Sequence, residues 1–180
     1  MTIYSSMIPD SNIVTSLKGM KSTLIVGCTS CANFSIAYDK NLPVYKVITD
    51  EKTGNRSLSP NAVLAEAERI RDLLKMNGNS AEIELNDAWC MTTKDNELRA
   101  LTGNQGWTDP GLKNRVRAHD SVLVLSCHDG VRGVKGRLGD LVKVFPGMVV
   151  KGTQLVTLQL DSQGGNIVLD REKSSVIRNK

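Results

Sequence analysis

An α/β fold on one mostly parallel sheet, with helices on both faces, is what three features of this sequence predict. Short, wholly apolar runs alternate with segments of helical periodicity. Two of the runs, Ser22–Val26 and Ser121–Ser126, are apolar on both faces, as strands covered on both sides must be. The helical segments between them have the lengths that parallel crossovers require. Together these describe a single-domain sheet of the flavodoxin or Rossmann type, closed by a C-terminal β-hairpin. The expected layout is an N-terminal arm and short helix (1–21), an α/β domain (22–150), and a hairpin with a basic tail (151–180).

In chain order, residues 1–9 read as a loose or docking arm, followed by a short helix from Asp10 or Ser11 to Lys18 that Gly19 stops. Ser22–Val26 is the first buried strand, and a helix over Cys28–Tyr38 follows it. Residues 42–49 form a strand placed at an edge by Pro43, and Asp50–Leu58 a polar loop. Ser59-Pro60 combines an N-cap residue with proline at the first helical position, and Val63, Ala67, Ile70 and Leu74 form one apolar stripe that ends before Gly78. Ala81–Leu85 is a strand leading to Asp87-Ala88-Trp89-Cys90. A short helix over Lys94–Leu101 and a loop over Thr102–Thr108 come next, and then Asp109-Pro110 opens another helix. Ser121–Ser126 is the strongest strand and runs directly into Cys127. A helix over His128–Leu138, a strand over Leu141–Phe145 and a hairpin over 154–169 complete the chain.

Composition excludes several classes. The 180 residues carry a formal net charge of +4 with charges of both signs interspersed. A small basic group near the end (Arg171, Lys173, Arg178, Lys180) and 4% aromatic content give neither a basic stripe nor a stacking platform for nucleic acid. No apolar run approaches the roughly 20 residues of a membrane helix, and Met1–Met20 has none of the parts of a signal peptide. A cytoplasmic protein is expected, in which thiols stay reduced unless they bind metal or do redox work.

That last point gives the four cysteines their weight. Cys28 and Cys31 form a Cys-x-x-Cys where a strand gives way to a helix, and Cys90 and Cys127 each follow another strand. In a parallel sheet the C-terminal strand ends share one edge, where ligands bind, so all four thiols are expected there. Free N–H groups at a helix start favour anionic sulfur. Four thiolates on one centre suit a [4Fe–4S] cluster or a tetrahedral zinc site, and spacing alone does not separate the two. The competing reading is a Cys28/Cys31 dithiol of the thioredoxin kind, with Cys90 and Cys127 as buried small hydrophobes. His119 at a helix end reads as a cap, and His128 as locally hydrogen-bonded. Gly130 and Gly133 fit either close helix–sheet packing or an anion at the helix start. No Ser/His/Asp set, P-loop or paired carboxylates appear, so no catalytic residue is assigned.

The motifs Ile25-Val26-Gly27-Cys28-Thr29-Ser30-Cys31-Ala32, Ala88-Trp89-Cys90 and Val122-Leu123-Val124-Leu125-Ser126-Cys127-His128-Asp129-Gly130-Val131-Arg132 resemble the C-terminal domain family of bacterial methylenetetrahydrofolate reductases. Members of that family also occur as a separate small subunit of the reductase in acetogens and related anaerobes. The likeness spans residues 22–150. It implies that Cys28, Cys31, Cys90 and Cys127 bind one iron–sulfur cluster (zinc in some descriptions), that a flavin-containing reductase subunit is the partner, and that the setting is one-carbon metabolism. His128 and Asp129 stand where the family favours Gly and a small residue, and region 42–58 is longer than the family leads one to expect. Hydrogenase small subunits are a more distant likeness, usually with Pro after the last ligand, where this chain has His128.

Overall fold

The computed structural model describes residues 1–85 and 110–179. The strands are β1 (Thr2–Met7), β2 (Ser22–Gly27), β3 (Tyr45–Thr49), β4 (Arg56–Pro60), β5 (Ser80–Leu85), β6 (Ser121–Leu125), β7 (Lys143–Pro146), β8 (Met148–Leu155), β9 (Leu158–Leu160), β10 (Asn166–Leu169) and β11 (Ser175–Arg178). The helices are α1 (Asp10–Ser16), α2 (Cys31–Lys40), α3 (Ala62–Met76), α4 (Pro110–Arg117) and α5 (His128–Leu138).

The expectation of one mostly parallel sheet is overturned. The described strands form three sheets, of which one is parallel, in the order β5-β2-β6-β7. The other two are antiparallel: β1-β8-β11 and β4-β3-β10-β9. The two strands with unbroken apolar centres, β2 and β6, are the middle pair of the parallel sheet. The segments read as arm, loop and hairpin build the two antiparallel sheets, through long-range pairs such as β1–β8 and local ones such as β3–β4. The supposed arm is β1, whose Thr2 lies opposite Gln154. The supposed polar loop after Asp50 is a tight turn into β4, which lies antiparallel to β3 and sets Tyr45 opposite Pro60. Pro60 therefore ends a strand, and Asn61 takes the cap position of α3. The expected C-terminal hairpin exists as β9–β10, with β8 and β11 belonging to a different sheet.

Two cores flank the parallel sheet. Ile25, Leu123 and Leu125 face Ile36, Val63, Ala67, Ile70 and Leu74 of α2 and α3. Leu24, Val26, Val122 and Val124 face Val116, Val134 and Leu138 of α4 and α5. Alternation along each strand assigns successive residues to opposite cores. Glu66 is buried in α3 with its charge matched by Lys40 and by Arg69 at 2.8 Å. Arg69 also grips Asp10 through two 2.7 Å bonds, tying α1 to α3. No helix among the described residues is long and apolar enough to cross a membrane.

Gly152 shows how tightly the β1-β8-β11 sheet is built. It lies opposite Tyr4 on one side and Arg178 on the other. A Cβ there would collide with the Ile177 carbonyl oxygen and come within 2.9 Å of the Arg178 Cα, both backbone atoms. Gly152→Ala is expected to detach β11 and cost about 1–3 kcal/mol, the usual range for overpacking. Denaturant unfolding and faster amide exchange confined to 175–178 and their β8 partners would measure it; exchange unchanged over β11 would contradict it.

Candidate functional site

The site is built from one row of the parallel sheet. In register, Leu85 of β5 and Leu125 of β6 both lie opposite Gly27 of β2. Three strands thus end on the same rung, with neighbours spaced about 4.8 Å apart. Cys28 follows immediately after Gly27, and Cys127 comes two residues after Leu125. The Cys28 N–H donates to the Leu125 carbonyl at 3.0 Å, extending the β2–β6 ladder by one step. Gly27 is required here: a Cβ would stand 2.6 Å from Leu85 Cδ2 and 2.9 Å from Val63 Cγ2. Cys90, five residues past Leu85, lies outside the described residues, as do the expected helix 94–101 and the loop 102–108.

Cys28, Cys31 and Cys127 carry thiols rather than disulfide sulfurs. Cys28 is 4% exposed and Cys127 3%, while Cys31, the first residue of α2, is half-buried. Burial pushes the Cys28 thiol up from its ordinary value. The Ser30 and Ala32 amides and, least of all, the nearby Ser126 hydroxyl pull the other way, and the neighbouring Cys31 sulfur pushes it further up. The amides at the start of α2 have no side-chain cap, so the Cys28 sulfur takes the place that an Asp or Ser oxygen usually fills. The helix start was expected at Cys28. It falls at Cys31 because residues 28–30 wrap around this sulfur, with Tyr45 Oη donating to the Thr29 carbonyl at 3.3 Å.

Ser126 was not singled out by sequence reasoning. Its Oγ is enclosed beside Cys28 and has no hydrogen-bond partner among the described residues. Gly130, one turn into α5, makes room for it, since a Cβ there would lie 2.7 Å from Ser126 Cβ. The only sequence signal is the spacing of Ser126 and Gly130 across a strand-to-helix junction. Of the two readings offered for Gly130, close packing is the one its surroundings display.

The histidines do not join the sulfurs. His128 points into solvent with Nε2 at 3.0 Å from Asp129 Oδ1. The His119 ring is buried, with Nδ1 2.7 Å from the Arg115 carbonyl, a local bond at the end of α4. Cys28 and Cys31 are brought together. Among the described residues, however, no group of three or more His, Cys, Asp or Glu side chains is arranged to hold a metal ion.

Comparison with known proteins finds no match: no family model, no curated protein and no solved structure matches this chain. The functional reading therefore rests on the residues of the site.

A thiolate is the reactive form of cysteine, so the buried Cys28 is expected to resist iodoacetamide at neutral pH in the folded, metal-free protein, while Cys31 reacts. Peptide mapping should show Cys28 labelled about tenfold more slowly or less. Because the folded pKa of Cys28 lies above the unfolded value, the unfolded chain gives up this proton first as pH rises. The stability contribution is complete below about pH 8.5, the ordinary thiol value, and declines above it by about 1.4 kcal/mol per pH unit until the folded pKa is reached. Denaturant unfolding of Cys28→Ala should lack this alkaline decline.

Proposed function

We propose that this chain is a non-catalytic accessory subunit that holds one [4Fe–4S] cluster on Cys28, Cys31, Cys90 and Cys127 for electron relay to a flavin-containing partner. A methylenetetrahydrofolate reductase is the partner that the sequence resemblance implies, in the cytoplasm. The observation that carries the reading is the shared rung at Leu85, Gly27 and Leu125, from which the chain leads into Cys90, Cys28 and Cys127. When bound, such a cluster supplies one-electron transfer at a potential set by burial and by hydrogen bonds to sulfur.

The residues around Cys28 suit a ligating sulfur. The Ser30 and Ala32 amides favour negative charge on it, and the enclosed Ser126 hydroxyl beside it has no hydrogen-bond partner among the described residues. These donors stabilise sulfur that carries negative charge, whereas burial alone keeps the metal-free group protonated. Metal binding would therefore release protons from the thiols and draw Cys127 and Cys90 onto the Cys28–Cys31 pair. The dithiol reading sits poorly with Cys28, whose sulfur is enclosed and whose thiol is held in the protonated form.

Anaerobic reconstitution with iron and sulfide tests the proposal. The expected product is brown, holds about four irons per chain as a cubane requires, and gives an EPR signal on one-electron reduction. Cys127→Ser and Cys90→Ser should each abolish it. A colourless protein that takes up one zinc and no iron would replace electron relay with a docking role. Dithiol activity surviving in Cys127→Ser, with no metal bound, would overturn both metal readings.

A further inference from the structure

A second site lies on the flank of α5, apart from the sulfurs. Between α5 and the corner where β7 turns into β8 there is an open groove of about 490 Å3, within the roughly 300–1,000 Å3 typical of small-molecule sites. Its walls are Val131, Pro146, Met148 and Val149, and its rim carries Arg132 and Lys135. The apolar side includes Val149, which is 42% exposed, and among the described residues no acidic side chain lines the groove.

Helix periodicity explains the arrangement. Val134 and Leu138 turn inward to the core shared with β2 and β6, and Gly130 lies against Ser126. His128, Val131, Arg132 and Lys135 are left on one flank, at the i, i+3, i+4, i+7 spacing of a single helix face. Asp129, the nearest acid along the helix, is engaged by His128. Neither Arg132 nor Lys135 has a carboxylate partner among the described residues. Two unmatched cations over an apolar cleft favour a ligand with the opposite distribution.

We propose that this groove binds a small organic anion: an apolar, ring- or chain-bearing body seated on Val131, Met148 and Val149, with a carboxylate, sulfonate or phosphate held by Arg132 and Lys135. Nothing in this site requires the thiols to hold metal.

Anilinonaphthalene sulfonate, an apolar fluorophore with one anionic group, is the probe. It should bind saturably at one site per chain, and amide shifts in the unsubstituted protein should fall on 128–135 and 146–150. The double variant Arg132→Gln/Lys135→Gln should weaken binding about tenfold, roughly the loss of one charge-assisted hydrogen bond. It should leave the affinity for neutral phenylnaphthylamine unchanged. Val149→Asp should weaken both probes, with the melting temperature of each variant confirming the fold. Shifts mapping elsewhere, or sulfonate affinity indifferent to the double substitution, would overturn the proposal. Shifts of these same residues with protein concentration alone would assign the face to a second copy of the chain, and would overturn it too.

Discussion

The pairing of β2 with β6 is the constraint on which the rest depends. Both strands are apolar on both faces, so burial alone specifies their register weakly: a slip by one residue would exchange one buried set for another. Polar groups at the strand starts settle it. Asp120 Oδ2 accepts the Lys21 and Ser22 amides at 2.7 and 3.2 Å, and the buried hydroxyls of Thr23 and Ser121 meet at 2.9 Å. At the far end the Cys28 amide closes on the Leu125 carbonyl. A slip of one residue would move the strand ends by about 3.3 Å, enough to part the Cys28 amide from the Leu125 carbonyl. A clamp at one end of the sheet thus fixes the chemistry at the other.

What could be read from sequence divides along the range of the interactions. Ser22–Gly27 and Ser121–Leu125 announce themselves because burial on both faces demands unbroken apolar runs. Val63, Ala67, Ile70 and Leu74 mark α3 because one helical stripe meets the sheet. β1 gives no such signal: its buried residues include Ser5, whose amide donates to the Ser35 hydroxyl at 3.2 Å, and its partner strand lies some 150 residues away in sequence. β4 is exposed along most of its length and is ordered by pairing with β3, so neither propensity nor pattern reveals it. Ser59-Pro60 has the composition of a helix start, yet Pro60, at the end of β4, needs no N–H there either. Of the two antiparallel sheets only the strand over 42–49 and the hairpin β9–β10 were therefore legible, and the single parallel sheet was an overextension of the part that local pattern encodes.

The site follows the same division. That Cys28 and Cys127 would stand at one sheet edge followed from the rule that parallel strands share a carboxyl edge; that their strands are neighbours did not. Which of the thiols would be buried, and which hydroxyl would face the Cys28 sulfur, did not follow, because both depend on how α2 and α5 dock. Gly130 is the hinge of that docking. Lacking a side chain, it lets α5 close over Ser126 and enclose its hydroxyl.

The electrostatics of Cys28 couple the edge to the fold. In the metal-free chain burial outweighs the pull of the Ser30 and Ala32 amides, so the thiol is held toward its protonated form and the first amides of α2 have only a weak acceptor. Ligation by a cation reverses the balance: the sulfur becomes anionic, its charge is matched, and the same amides gain a strong acceptor at the positive end of the helix dipole. The start of α2 should then be firmer in the ligated state, since any group that binds only the folded chain adds its binding free energy to stability. α5 divides its work differently. Its first residues close the thiol edge, its inward face completes a core, and its flank presents unmatched cations over an apolar cleft. Gly130, where the helix closes over Ser126, the residues facing the core and those on the groove flank occupy different faces of the one helix.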